Sequence, residues 1–372
     1  MRFIFACGGT AGHINPALAL ADELRSRLPS PKILFVGAGR ALEKSLIPRA
    51  GFHVVNVKMS GLRRGFSPAK LAHNVKTAKN LTTAGYKVAN LLRRYKPDAV
   101  IGTGGYICYP VLKKAAKMGI PTIVHDSNAI PGLTTKLLSS IVDKVLVAFP
   151  EQEKLYRRPD RVIYTGTPVR KGFKMAAENR PLRAKDAKPL VVSFWGSLGA
   201  GKMNEAITEA IKLNIDSGMF DHIHAVGKKG GSEEMKHRLR DLGVADVLPP
   251  GIEIKEYIDD MPTVMAAADL VLCRGGGSTI AELMAMSQPS IIIPSPYVAN
   301  NEQEENAKAI GKSGGAILLH EKTCTGEVLY EAIVSLITNE EKLAEMTENL
   351  KTFALPDATK NVADIILKLV EQ

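Results

Sequence analysis

Short apolar runs of strand length alternate with longer amphipathic segments along the whole chain, which is the pattern of parallel sheets whose strands are joined by crossover helices. In the first half the strand-length runs fall at residues 3–6, 33–36, 54–57, 99–101, 122–124 and 144–147. Helical periodicity fills the gaps. It covers residues 16–28, with Pro16 placed in a first turn where its missing N–H is harmless, and residues 68–94, interrupted by Gly85. The second half repeats the scheme, with strands predicted at 190–194, 222–226, 270–273 and 291–294. Near residues 165–189 glycine, proline and many basic residues break the periodicity and mark a boundary. A last segment, 359–370, carries apolar residues at helical spacing and is free to pack back on either domain. The class is therefore α/β, and 372 residues suit two domains that each bury their own core.

Composition adds exclusions. No apolar run approaches the ~18 residues that a spanning helix needs. The first apolar stretch stops at Gly8-Gly9, which suits a buried strand better than a secretory segment and points to an intracellular protein. The cysteines (Cys7, Cys108, Cys273, Cys324) lie far apart without C-x-x-C spacing, so they read as packing residues and indicate neither a zinc site nor a disulfide framework.

Charge is more telling in its distribution than in its total of +11. Residues 1–165 carry 26 Lys and Arg against 9 Asp and Glu, whereas the remainder carries 23 against 29. Between Glu43 and Asp98 there is no carboxylate, but there are twelve basic residues. Such a block attracts nucleic acid or the anionic cytoplasmic leaflet, unless it is simply a solvated face. Nucleic-acid binding would need interleaved stacking aromatics, and this stretch offers only Phe52, Phe66, Tyr86 and Tyr95.

Four glycine-rich turns each follow a predicted strand and precede a helix. They are Gly8-Gly9-Thr10-Ala11-Gly12-His13, Gly102-Thr103-Gly104-Gly105-Tyr106, Gly196-Ser197-Leu198-Gly199-Ala200-Gly201 and Gly275-Gly276-Gly277-Ser278-Thr279. Glycine lets the backbone approach a ligand closely, and the N–H groups and dipole of the next helix favour a diphosphate. Two such turns per half suggest a ligand held between the two domains. The stretch Gly196–Met203 matches the P-loop except that Met203 replaces the hydroxyl that would bind magnesium, which argues against an NTPase. The dinucleotide pattern G-x-G-x-x-G is absent after the first strand. No D-x-D triplet occurs, so a diphosphate leaving group would be neutralised by backbone amides and helix dipoles, with neither metal nor cofactor expected.

The loop G-G-T-A-G-H followed by I-N-P-A-L-A-L-A resembles the N-terminal signature of the MurG family. The resemblance runs nearly end to end. It includes S-G-L-R-R at 60–64, Y-K-P-D-A-V-I-G-T-G-G-Y at 95–106, G-I-P-T-I-V-H at 119–125, N-x-x-P-G-L-T at 128–134 and T-G-x-P-V-R ending at Arg170. Further on come Y-I-D-D-M at 257–261, C-R-G-G-G-S-T-I-A-E at 273–282, I-P-S-P-Y-V at 293–298 and Q-E-E-N-A at 303–307. The resemblance implies the GT-B fold, two Rossmann-like domains with parallel sheets facing across a cleft. It also implies inverting transfer of N-acetylglucosamine (GlcNAc) from UDP-GlcNAc to lipid I, giving lipid II of peptidoglycan synthesis. Residues 1–165 would be the acceptor- and membrane-binding domain, with 357–372 returning to it, and 166–356 the UDP-sugar domain. The enzyme would lie peripherally on the cytoplasmic face of the membrane. A UDP-GlcNAc 2-epimerase of the same architecture is the alternative, although it needs no lipid acceptor and no basic first domain.

The resemblance also carries roles. An inverting transfer needs a base, and His13, on a loop at a strand's C-terminal end, has a near-neutral intrinsic pKa. The other reading has His13 only bind the acceptor diphosphate. Gly9, Gly104, Gly105 and Tyr106, with His13, would contact the acceptor. On the donor side stand Thr10, Gly12 and Asn128. Arg170, Tyr257 and Ile258 would flank the uracil, though the last two read equally as half-buried strand residues. Ser197 with Gly277, Ser278 and Thr279 would hold the diphosphate. Glu282 would accept both ribose hydroxyls, or else be a first-turn helix carboxylate favoured by the dipole. Gln303 and its neighbour Glu302 would meet the transferred sugar. This chain departs from the family pattern at Ala11, Asp126, Ser127, Thr167, Trp195, Leu198 and Glu302.

Overall fold

A computed structural model describes residues 1–57, 59, 83–184, 186–228, 231–355 and 357–371. The chain forms two compact units, one of Met1–Arg170 with the segment from Leu355 onward, the other of Lys171–Ala354. In the first, seven parallel strands stand in the order β3-β2-β1-β4-β5-β6-β7. These are β1 (Arg2–Ala6), β2 (Lys32–Gly37), β3 (His53–Asn56), β4 (Ala99–Gly102), β5 (Thr122–Asp126), β6 (Lys144–Val147) and β7 (Val162–Tyr164). The second holds β8 (Leu190–Phe194), β9 (Asp221–Ala225), β10 (Ile252–Lys255), β11 (Leu270–Cys273), β12 (Ser290–Ile292) and β13 (Ala316–Leu318) in the order β10-β9-β8-β11-β12-β13. Both are doubly wound, Rossmann-like α/β sheets. In each, strand order reverses beside the first strand, between β1 and β4 and between β8 and β11, where open α/β sheets take ligands.

Central strands are continuous apolar runs because helices cover both faces. Phe3, Ile4, Phe5 and Ala6 of β1 are wholly buried, and Phe5 stacks on Phe35 of β2 with centroids 5.4 Å apart. Sequence periodicity missed β7, β10 and β13. All three are edge strands, and an edge strand lacks the run that burial on every side produces. The last helix, Ala358–Val370, returns to the first unit and packs on the first helix, α1 (Ala11–Arg27), burying Val362, Ala363 and Ile366 beside Leu20 and Leu24.

Two helix expectations need correction. Pro16 is not in a first turn, because α1 starts at Ala11 and Pro16 lies inside it. Pro16 has no N–H to give the Gly12 carbonyl; the next carbonyl along, that of His13, accepts from Thr103 Oγ1 at 2.6 Å. Gly85 does not interrupt its helix, which runs unbroken over residues 83–95. Buried Ala84, Val88, Ala89 and Leu92 outweigh the ~1 kcal/mol that glycine costs a helix. The first part of that expected helix and most of the basic block lie outside the described residues. No helix among the described residues is long and apolar enough to cross a membrane.

Candidate active site

In the first unit the sequence-predicted residues converge on the C-terminal edge of the sheet at the β1/β4 switch. Thr10 immediately precedes α1 without a side-chain capping bond, Gly12 and His13 sit in its first turn, and His13 is partly buried. The Nδ1 of His13 lies 2.9 Å from the carbonyl oxygen of Gly8. A carbonyl only accepts, so Nδ1 carries the proton and neutral His13 presents a bare, basic Nε2. Burial lowers its pKa from the ordinary value, while the Gly8 bond and the charge of Asp126 pull upward.

The loop after β4 closes against this turn. Gly104 and Gly105 have φ of +119° and +90°. A Cβ at Gly104 would fall 2.3 Å from His13 Cδ2, and one at Gly105 would fall 2.3 Å from Gly8 O. Only glycine permits that approach. Tyr106, next in line, is half-exposed. Beyond β5, buried Asp126 holds the following loop by accepting from the N–H groups of Asn128 (3.2 Å) and Gly132 (2.9 Å), and Gln152 Nε2 donates to the Asn128 carbonyl. Gly9, one of the residues expected at the acceptor, has its amide donating to Glu43 at 3.0 Å.

In the second unit the loops after β8, β9, β10, β11 and β12 share one edge. Lys228 N donates to Ser197 O at 3.1 Å, and a Cβ at Gly199 would fall 2.0 Å from Val226 O, so the first two loops are in direct contact. Tyr257, half-exposed under the Lys228 ammonium, and buried Ile258 lie on the loop after β10 and not within the strand. Gly277, Ser278 and Thr279 open the helix Gly277–Met286. Glu282 stands in the second turn of that helix, on the face of Ser278 and Thr279, so the first-turn dipole explanation for it does not apply. Gln303 opens the helix Glu302–Lys312 and uses Oε1 to accept from Ser295 N at 2.8 Å; Asn306 ties the same helix to Gly275 O at 2.9 Å. Arg170 is exposed at the end of the first unit's main segment.

Sequence reasoning missed Glu43 and the buried pair Arg274–Glu321. Glu43 stands at N3 of its helix, but the N-cap is Arg40 and not the Ser or Thr of a capping box, so the local sequence does not single it out. Among the described residues no group of three His, Cys, Asp or Glu is placed to hold a metal ion.

Residues 3–147 match the glycosyltransferase family 28 N-terminal domain, and residues 190–362 match the C-terminal domain of that family. A UDP-N-acetylglucosamine--N-acetylmuramyl-(pentapeptide) pyrophosphoryl-undecaprenol N-acetylglucosamine transferase of Acetivibrio thermocellus is 40% identical over 374 residues, covering 100% of this chain and 99% of that protein. The chain belongs to the MurG family. A second transferase of this name, from Desulforamulus reducens, is 38% identical over 100% of this chain and 99% of its own length. The crystal structure of Acinetobacter baumannii MurG superposes with a TM-score of 0.75 at 24% identity, covering 99% of both chains. A UDP-GlcNAc 2-epimerase from Neisseria meningitidis shares the fold at a TM-score of 0.63 and 15% identity. The GT-B architecture is thus common to transferase and epimerase, whereas full-length identity near 40% ties this chain to the MurG side.

Proposed function

We propose that this chain transfers GlcNAc from UDP-GlcNAc to lipid I, with inversion, at the cytoplasmic face of the membrane. The observation that carries the mechanism is the 2.9 Å contact of His13 Nδ1 with the Gly8 carbonyl at the sheet switch of the first unit, from which an unprotonated, basic Nε2 follows. The acceptor hydroxyl attacks the anomeric carbon of GlcNAc and His13 Nε2 takes its proton. The bond from that carbon to the diphosphate oxygen breaks, and UDP leaves with the electron pair. Acceptor contacts fall to the turns of Gly9, Gly104, Gly105 and Tyr106. Thr10, Gly12 and Asn128 meet the donor sugar from the same edge.

In the second unit, Ser197 and the first-turn amides of Gly277, Ser278 and Thr279 receive the diphosphate, where the helix dipole favours charge. Glu282 binds the ribose, while Tyr257 and Ile258 with Arg170 flank the uracil. Gln303, its oxygen occupied by Ser295, offers its NH2 to the sugar. The carboxylate-free basic segment supplies the attraction to anionic lipid, each Lys or Arg near such a surface being worth about 1 kcal/mol at low salt.

Transfer of labelled GlcNAc from UDP-GlcNAc to a lipid I analogue tests the reading. Conversion of UDP-GlcNAc without acceptor would instead make the protein an epimerase. Docking is tested by sedimentation with neutral and anionic vesicles over a salt series, using a variant with Lys70, Lys76, Lys79 and Lys87 changed to Gln. Equal binding to both vesicle types would sink the membrane role.

A further inference from the structure

Glu43 is wholly shut from solvent, on the helix Ala41–Arg49 that follows β2. Its Oε1 accepts the N–H of Gly9 at 3.0 Å, and its Oε2 accepts those of Gly39 at 2.7 Å and Arg40 at 3.0 Å. The turns are built around this carboxylate. A Cβ at Gly8 would fall 2.2 Å from Oε1, and one at Gly37 would fall 2.7 Å from Oε2. Burying a carboxylate costs several kcal/mol unless its oxygens are satisfied, and three backbone donors offset that cost. A merely structural cap would need only the two bonds to its own helix start. The third reaches 34 residues back, to the turn that carries His13.

The Gly9 N–H and the Gly8 carbonyl belong to one peptide group, whose planarity points them in opposite directions. Glu43 grips the N–H end and His13 Nδ1–H grips the carbonyl end. Negative charge at Glu43 polarises the peptide, so the Gly8 oxygen becomes a stronger acceptor for the imidazole N–H. The arrangement does the work of the carboxylate behind a catalytic histidine, with one peptide inserted between the two.

We propose that Glu43 is a positioning residue for the transfer, acting through the Gly8–Gly9 peptide to hold the His13 ring in its Nε2-basic tautomer and to stabilise the imidazolium formed when the acceptor gives up its proton. The inference rests on His13 being the base. It makes Glu43 a determinant of turnover that touches neither substrate. It also separates two uses of one side chain, because Oε2 braces the turn after β2 while Oε1 serves the base.

Glu43→Gln isolates the second use. The amide oxygen turns to Gly39 and Arg40, and the NH2 then faces the Gly9 N–H, so the relay is cut with the helix start still capped. The expected result is a fall in kcat of about 10- to 100-fold with the KM for UDP-GlcNAc unchanged. In a His13→Ala background the same change should alter kcat less than about 2-fold, since a residue acting through His13 has nothing left to act on. Full activity of Glu43→Gln beside an inactive His13→Ala overturns the relay and leaves the base reading standing, as does a multiplicative loss in the double variant. An active His13→Ala overturns both. One measurement needs no variant: 15N NMR of the imidazole in the wild-type protein at neutral pH should show Nδ1 protonated and Nε2 bare, and the opposite tautomer overturns the proposal.

Discussion

The guanidinium of Arg274 lies 2.7 Å from the carboxylate of Glu321, and both residues are more than nine-tenths buried. Arg274 also donates to the carbonyl of Ile293 at 3.0 Å and sits 5.9 Å from the centroid of Trp195. The pair thereby joins the segments that follow β8, β11, β12 and β13. Removing one partner strands a buried charge, at a cost of about 3–5 kcal/mol. Glu321→Ala should therefore unfold at clearly lower denaturant than wild type and show a raised KM for UDP-GlcNAc. Replacing both residues by Met should restore much of the stability. A Glu321→Ala protein within about 1 kcal/mol of wild type would refute this.

A second buried network predicts acid sensitivity. Ser193 Oγ lies 2.8 Å from His222 Nε2 and 2.7 Å from His224 Nδ1, and His224 Nε2 lies 3.4 Å from Asn204 Oδ1. Asn204 Nδ2 donates to Val226 O, so its oxygen must accept from His224. Ser193 then donates to His224 and accepts from His222, and both rings are neutral. Burial pushes both imidazoles down to about 3. Folded-state values below the ordinary 6.5 mean that the unfolded chain binds these protons first. The stability that the two histidines contribute is whole above pH 6.5 and is lost progressively as pH falls toward 3. Urea titrations at pH 7, 5.5 and 4.5 should show this decline, and His222→Phe should flatten it. Ser193→Ala should cost about 1–3 kcal/mol at pH 7.

Turnover should follow His13. Burial holds its imidazole below the usual range, so the neutral, basic form persists to lower pH than in a free imidazole and activity should be level from neutral pH upward. Below that, kcat/KM should fall with unit slope through the lowered pKa. His13→Ala should lose at least ~100-fold in kcat, the lower range for a general base. A loss confined to the KM for lipid I would reassign His13 to acceptor binding.

Glu282 stands one turn behind Ser278 and Thr279 and outside the helix's first turn, and its proposed role is to bind the ribose. Glu282→Ala should raise the KM for UDP-GlcNAc by about 10-fold or more, as the loss of hydrogen bonds to a charged group implies, and should leave the KM for lipid I alone. An unchanged donor KM removes Glu282 from the site.

Local pattern determined a large part of this protein. Strands buried on both faces, such as residues 190–194 and 270–273, announce themselves as apolar runs, and the glycine turns mark where ligands approach, because both signals are set by neighbours in the chain. Motif resemblance then carried the family. Tertiary structure decided what each polar side chain does. Glu43 reads in the sequence as the last carboxylate before a basic block, and Arg274 as one residue of a glycine loop. Their partners, Gly9 and Glu321, lie far along the chain and meet them only because β1 lies beside β2 and β11 is separated from β13 by β12 alone. Hydrogen-bond direction is likewise non-local in origin. That His13 shows a bare Nε2 follows from a carbonyl held in place by its fold neighbours, which no periodicity along the chain encodes.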